Sequence, residues 1–393
     1  MSCACPVTAK EIRITGVKLN NPLQNSGDQV HRFQEIIDSC IDCKKCWDVC
    51  PVNMVTDGNR FTPQGKIESL VKIVAGEELS KDEYDNIYLS TRCGACDDVC
   101  PVDIPITDII QYERQLLAEQ KREPAKTTAI SQNIIEHNSP GAKDPSKRFD
   151  WITDDLDIAE SSEVAYMAGC WVSYSQPDIA RATIRLLNHA GIAPMILKEE
   201  KCCGLFLVDN GHLEQLTDHA KNFVDYIESL GVKKVIASCP GCYIVLGKEY
   251  PKLYRELNFE VEHSLNVFKD MIAHGKLKPK KLDLAVSVRD ACPIRESKDV
   301  PRSILESMGV EVKELFDAKQ VCCGGPAGLK PNFPEIANNI AMLSIKDYKD
   351  KADMLASYCP FCMHHMEGAC ESKNEEMEMK DISVLLAESV LGK

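Results

Sequence analysis

A chain of 393 residues, 44% hydrophobic and 27% charged, is long enough for two or three domains and for a core that needs no disulfide staples. Its formal net charge of −14 argues against binding nucleic acid and against a polybasic membrane anchor, both of which need lysine and arginine. No apolar run approaches the ~20 residues of a membrane-spanning helix, and residues 1–20 lack the apolar stretch of an export signal. A cytoplasmic protein is therefore expected, whose 20 cysteines stay reduced and are better read as metal ligands than as disulfides.

Residues 1–29 are polar and aperiodic and read as a tail; they carry Cys3 and Cys5. From 30 to 122, apolar residues recur at three- and four-residue spacing, which predicts helices over Val30–Asp38, Gln64–Ala75, Lys81–Leu89 and Ile106–Lys121. Two related cysteine motifs lie in this region. Cys40, Cys43, Cys46 and Cys50, followed by Pro51, have the spacing of a bacterial ferredoxin half. Cys93, Cys96 and Cys100, followed by Pro101, repeat it, with Ser90 where the first cysteine would stand. CWDVCPVNM at 46–54 and CDDVCPVDI at 96–104 show the duplication directly. The 42 residues between Cys50 and Cys93 are more than a compact β-rich ferredoxin needs, so a helical ferredoxin-like domain is expected. Residues 123–162, with HNSPGAKDPSKRFDW at 137–151, read as a linker that Trp151 docks onto a neighbour.

From 163 the pattern changes to short apolar runs alternating with amphipathic stretches, the signature of parallel α/β modules. Strands are expected at Val164–Met167, Pro194–Leu197 and Val232–Ala237, with helices at Pro177–His189 and Leu213–Leu230. A second round comes next, with strands at Leu284–Val288, Val310–Leu315 and Met354–Ser357 and helices at Pro301–Met308 and Phe333–Asp347. Segments 261–276 and 379–393 close each round in a similar strand-to-helix pattern. The predicted class is α plus α/β: a helical ferredoxin-like domain at 30–122, then duplicated modules at 163–275 and 276–393.

Each module carries five cysteines just past predicted strand ends. They are Cys170, Cys202, Cys203, Cys239 and Cys242, then Cys292, Cys322, Cys323, Cys359 and Cys362. The spacings to the adjacent pair are 31 and 29 residues, and 35 residues separate pair from CxxC in both copies. In parallel sheets the carboxyl ends of strands form the ligand crevice, so each set is expected to converge. Adjacent thiolates suit a site with more than one metal atom, while a four-cysteine zinc site with a spare thiol is the plainer alternative. In the ferredoxin-like region, the last cysteine of each motif serves the other cluster in two-motif proteins. That pairs Cys40, Cys43, Cys46 and Cys100 at one cluster, and Cys50, Cys93 and Cys96 with Ser90 at the other. The second is open between a [3Fe–4S] centre, a cubane with a serine or water ligand, and a cubane completed by Cys3 or Cys5.

The order of ferredoxin motifs followed by two CCG modules resembles the heterodisulfide reductase family of methanogens, in its D-type form. The resemblance covers nearly all of residues 30–393. It implies a non-cubane [4Fe–4S] cluster on each five-cysteine set, which would make those ten cysteines the catalytic ones. It further implies reduction of the coenzyme M–coenzyme B disulfide to two thiols between the two clusters. Ferredoxin-type clusters would relay electrons from a partner, a membrane cytochrome b or a soluble flavoprotein, in a hetero-oligomeric complex at the inner face of the membrane. Relatives with the same architecture serve flavin-dependent glycolate, lactate or glycerol-3-phosphate dehydrogenases as electron-transfer components, which is the alternative. Ser90 and the 29-residue spacing depart from the family pattern. An anionic disulfide needs cations nearby. Lys201, Arg289, Arg295, Lys330, His364 and His365 adjoin the motifs, and Arg289 and Arg295 are the expected substrate contacts because they flank Cys292. Asp290 reads as structural, EEMEM at 375–379 as packing, and Cys370 has no assigned role.

Overall fold

The computed structural model describes residues 31, 34–57, 60–318 and 321–392; Cys3 and Cys5 lie outside the described residues. The first part is helical, as its periodicity predicts. Helix α1 (Pro63–Ala75) starts at Thr62, whose hydroxyl accepts from the Gly65 amide, and stops at Gly76 in the left-handed conformation. Helix α2 (Lys81–Tyr88) opens on a Ser80–Glu83 capping box. Helix α3 (Ile106–Glu119) packs on both through Ile67, Leu70, Ile87, Ile109, Ile110 and Leu117.

The cysteine repeat is also a backbone repeat. Asp42 and Arg92 occupy equivalent positions with φ of 50° and 47°, and Lys44 and Gly94 come next at 60° and 81°. After each left-handed residue comes a single helical turn, Lys45–Asp48 or Ala95–Asp98, so both loops wrap their cysteines in the same way.

The segment expected as a bare linker contains a helix, α4 (Ala125–His137), and is packed on the first module. Ile134 is buried in the core of that module, and Trp151, 1% exposed, meets the Tyr166 ring edge-on at 5.8 Å.

Two four-stranded parallel sheets make up the rest, with identical strand order. The first, β2-β1-β3-β4, is built from β1 (Val164–Met167), β2 (Met195–Ile196), β3 (Lys234–Ala237) and β4 (Glu260–His263). The second, β6-β5-β7-β8, is built from β5 (Ala285–Arg289), β6 (Glu311–Lys313), β7 (Met354–Ser357) and β8 (Met379–Asp381). Registers correspond: Met167 faces Ala237, which faces His263, as Arg289 faces Ser357, which faces Asp381. Strands buried on both faces read as short continuous apolar runs. The closing segments supply the fourth strands, β4 and β8.

Helices α5 (Pro177–His189), α6 (Leu213–Ser229) and α7 (Ser264–Ala273) cover the first sheet. The second has α8 (Asp299–Ser307), α9 (Pro334–Lys349), α10 (Pro360–Lys373) and α11 (Ile382–Leu391). Helix α10 was not expected. In its sequence, PFCMHHMEGACESK, the buried residues Cys362, Met363, His365, Met366, Ala369 and Cys370 share one face, but a histidine and two cysteines dilute the apolar stripe and Phe361 lies off it. The modules pack α5 on α11 and share one core, in which Tyr166 and Ile236 join Val286, Val288 and Leu355. Each fully buried side chain of that size contributes roughly 1.5–3 kcal/mol. The architecture is thus α plus α/β, with a ferredoxin-like helical part and duplicated modules.

Candidate metal centres

The helical part holds two sulfur-lined cavities. Cys40, Cys43, Cys46 and Cys100 line one, against Ile67, Ile104 and Ile106. Cys50, Cys93 and Cys96 line the other, with Ser90, Thr91 and Lys66. The last cysteine of each motif therefore faces the cavity of the other. Proline after each of these cysteines turns the chain: Pro51 starts a helix of five residues directly after Cys50. Cys43 is exposed, Cys40, Cys46 and Cys100 are half-buried, and Cys50 and Cys93 are buried. Burial and the nearby Cys40 push the Cys46 thiol up to about 11, and burial raises Cys96. Ser90 is 8% exposed; its hydroxyl accepts from the Arg92 amide at 3.2 Å. Lys66 is buried beside Cys50 and Cys96, with its ammonium donating to Asn86 Oδ1 at 2.8 Å. Among the described residues no group of three or more His, Cys, Asp or Glu side chains is spaced for a single ion.

In the two modules all ten cysteines are buried. Three loops at the carboxyl edge of each sheet deliver them: one after β1 or β5, one carrying the adjacent pair, and one after β3 or β7. The Cys170 and Cys202 sulfurs lie 3.8 Å apart, as do those of Cys292 and Cys322. Crowding fixes the backbone here. A Cβ on Gly169, at φ 80°, would stand 2.8 Å from Cys242 Sγ, and one on Gly324, at φ 92°, 2.5 Å from the Ala337 carbonyl oxygen. One thiol of each pair is held low by its neighbours: Cys202 by hydrogen bonds from Cys170 and Cys203, Cys323 by those from Cys322 and Cys362. Cys170, Cys203 and Cys242, and likewise Cys322 and Cys362, are pushed up by the same hydrogen bonds and by burial.

The surroundings of the two sets differ. In the first module Arg148 donates to Glu200 at 2.7 Å, both side chains being buried. The Glu200 carboxylate also accepts from the amides of Ala168 and Gly169 at 2.9 and 3.1 Å, just ahead of Cys170. His219 Nε2 bonds the Cys202 carbonyl at 2.6 Å, and the Tyr250 hydroxyl donates to the Cys203 carbonyl at 2.9 Å. In the second module Arg289 is 2% exposed, and its Nε and Nη2 have no hydrogen-bond partner. The charges acting on it most strongly are the sulfurs of Cys362, Cys292, Cys323 and Cys322, which raise its pKa against the opposing effect of burial. A buried guanidinium with orphaned donors and a ring of thiols fits an anionic sulfur-rich group and fits a single ion poorly.

The helical part meets both modules at these edges. Cys93 and Cys322 are buried in one cluster. Arg295, expected as a substrate contact, is instead forked onto Asp98 at 2.8 and 2.9 Å, which locks the second module to the Ala95–Asp98 turn. Arg92 pairs with Asp209 of the first module at 2.6 Å. Arg114, 0% exposed, donates to the carbonyls of Ile87, Ser90, Asp209 and Ala327, so one guanidinium ties three parts of the chain. Between the modules, Trp171 stacks on His364 at 4.8 Å and lies 4.9 Å from Phe361. Lys330 is half-buried near Cys323, and burial lowers its pKa. His365 is buried and bonds the Ala337 carbonyl at 3.3 Å, while Lys201 stays at the surface edge of the Cys202 loop. Asp290 is held by Arg302 and the Tyr358 hydroxyl, a structural role as expected. Met377 and Met379 pack on the shared core, and Cys370 is buried within it.

Lys66, Arg114, Arg148 and Glu200 did not emerge from the cysteine spacing. One signal was available: Lys66 and Arg114 stand at helix positions where the periodicity asks for apolar side chains. For Arg148 and Glu200, 52 residues apart, the sequence offers none.

Comparison with known proteins gives concordant results. A cysteine-rich domain family, CCG, matches residues 164–247 and 288–367, and a 4Fe–4S dicluster domain family matches residues 4–104. The D chain of the dihydromethanophenazine:CoB–CoM heterodisulfide reductase of Methanosarcina acetivorans is 30% identical over 385 residues, covering 90% of this chain and 94% of that one. The B chain of a fumarate reductase (CoM/CoB) from Methanothermobacter marburgensis is 26% identical over 377 residues, covering 92% and 75%. The crystal structure of a hypothetical protein from Helicobacter pylori superposes with a TM-score of 0.56 at 10% identity, covering 94% of this chain and 76% of that one, a likeness of fold alone.

Proposed function

The chain belongs to the D-type heterodisulfide reductase family, and from that premise we propose that it reduces a disulfide to two thiols on its paired cysteine-rich modules. The coarser level is established: it is an iron–sulfur, CCG-domain electron-transfer protein and an oxidoreductase related to components of reductases. The finer reading assigns Cys170, Cys202, Cys203, Cys239 and Cys242 to one catalytic cluster and Cys292, Cys322, Cys323, Cys359 and Cys362 to the other. Cys40, Cys43, Cys46 and Cys100 would hold one ferredoxin-type cluster, and Cys50, Cys93 and Cys96, with Ser90 at the remaining corner, the second. Bound clusters supply electrons one at a time, and a disulfide needs two electrons and two protons to become two thiols.

The observation that carries this reading is that both five-cysteine sets are complete, buried and carried on matching loops of two modules that share a core. A chain that only passes electrons onward has no need of two complete five-cysteine sets. The remaining residues support it. Trp171, Phe361 and His364 form an aromatic wall between the modules, and Lys330 beside Cys323 offers a cation to an anionic substrate. Cys93 shares a buried cluster with Cys322, which supports a relay that leads to the second module. Cys43, the exposed ligand, is where a partner would deliver electrons. That partner is a membrane cytochrome b or a soluble flavoprotein, and the chain works as one member of a hetero-oligomeric complex; with the cytochrome as partner it sits peripherally at the inner face of the membrane. Among the described residues no helix is long and apolar enough to cross a membrane.

The test uses anaerobically prepared holoprotein with a reduced viologen as artificial donor and the coenzyme M–coenzyme B disulfide as substrate. Two thiols should appear per disulfide consumed and per two viologens oxidised. Iron-loaded protein that oxidises the viologen with another acceptor but leaves the disulfide intact would make it a relay component of a dehydrogenase instead.

A further inference from the structure

The duplication makes the two modules comparable position by position, and the comparison is unequal in charge. Three residues before the first cysteine stands Met167 in the first module and Arg289 in the second, both buried. Two residues before the adjacent pair stands Glu200 in the first and, in the sequence, Gln320 in the second. The first module thus surrounds its sulfurs with a compensated pair, Arg148 on Glu200 at 2.7 Å, of zero net charge. The second has a guanidinium whose Nε and Nη2 are unpartnered and which lies within reach of the charge on Cys362, Cys292, Cys323 and Cys322. The acid nearest in sequence, Asp290, is already taken by Arg302 and Tyr358. Water cannot screen Arg289, because it is 2% exposed.

We propose that Arg289 sets the two cysteine-rich centres apart in reduction potential: its uncompensated charge makes the second-module centre the first to take an electron. This rests on the ligand assignment proposed above. An added electron is an added negative charge, and a buried, uncompensated cation among the sulfurs stabilises it. In the first module Glu200 cancels the same effect of Arg148. The placement of the relay agrees, since Cys93 shares a buried cluster with Cys322 of the second module. In the step, one electron leaves the ferredoxin-type centre that Cys93 helps to hold and reduces the second-module centre; no bond forms or breaks and no proton moves. Arg289 is therefore a positioning and tuning residue and not a substrate contact.

The experiment is a paramagnetic-resonance redox titration of the anaerobic holoprotein, with iron counted on the same samples. Cys323→Ala identifies which signal belongs to the second module. Arg289→Gln should lower the potential of that centre by at least a tenfold change in its one-electron equilibrium, about 59 mV, and leave the other unmoved. Arg289→Lys, which keeps the charge, should restore most of the shift. Glu200→Gln, which uncovers the charge of Arg148, should raise the first-module centre. An iron-replete Arg289→Gln protein with unmoved potentials, or with both moved equally, overturns the proposal. If Arg289→Gln fails to hold iron, Glu200→Gln decides, and an unraised first-module potential overturns it. A wild-type protein that binds zinc or shows no iron–sulfur signal would instead remove the ligand assignment itself.

Discussion

Replacing Arg114 with methionine should loosen the ferredoxin-like part from both modules at once. Its guanidinium bonds four carbonyls: Ile87 at 2.9 and 3.3 Å, Ser90 at 2.8 Å, Asp209 at 3.2 Å and Ala327 at 2.8 Å. It also covers the Tyr88 ring at 5.3 Å. With the residue 0% exposed, water does not readily replace the lost donors. An orphaned buried acceptor costs about 1–3 kcal/mol, so four at the low end cost about 4 kcal/mol. Against this, methionine no longer pays the burial of a cation, a strain visible in the Arg114 pKa, pushed down to about 10. A net loss of about 2–4 kcal/mol remains, a large share of the 5–15 kcal/mol typical of a domain. The assay is urea denaturation of the holoprotein, read by hydrogen exchange along the chain because several modules need not unfold together. Exchange should rise at residues 87–90 and in the loops that present Asp209 and Ala327. Arg114→Lys, with its charge but a single donor head, should fall between. A methionine variant within about 1 kcal/mol of wild type, with unchanged protection at all three places, would refute the reasoning.

The other expectations concern single residues. Cys322→Ala should abolish disulfide reduction while dithionite still reduces the ferredoxin-type centres; normal turnover would remove the second module from the chemistry. Ser90→Cys should turn any three-iron signal into a four-iron one, whereas an unaltered spectrum would show that Ser90 is not at the open corner. Asp381 caps α11 by accepting from the Ser383 amide at 2.7 Å, and burial pushes its carboxyl up to about 7 from 3.8. A raised carboxyl favours the protonated form in the fold, so its stabilisation is full below about pH 4 and is lost as pH rises through about 7. The slope over that window is on the order of 1.4 kcal/mol per pH unit, and Asp381→Asn, which keeps an acceptor but cannot ionise, should flatten it. Urea midpoints at several pH values check this, and parallel wild-type and variant profiles would count against it.

Much of the architecture was legible because it is repetitive. Cysteine spacing located the sulfur sites, and the alternation after residue 163 announced parallel strands whose ends carry them. The backbone repeat of Asp42 and Arg92 comes from the same duplication. Other features left no local trace. Helix α10 buries one face, but that face is built from cysteine, histidine and alanine as well as methionine, so its apolar stripe is too weak to detect. Arg114 reaches carbonyls 95 and 213 residues away, and nothing near position 114 names them. Arg295 shows the opposite case: adjacency to Cys292 suggests a substrate contact, and the fold pairs its guanidinium with Asp98, 197 residues earlier. Nearness in sequence identified which residues crowd the sulfurs but not which way their charges point.

Access to solvent is uneven across the sulfur array: Cys43 is exposed, whereas none of the ten module cysteines is more than 8% exposed. Dioxygen, peroxide and chelators arrive from outside. On the proposed assignment they would corrode the centre at Cys43 long before the inner pair. A preparation handled briefly in air would then fail by losing its inlet while the interior stays sound, and repair at the rim alone would revive it.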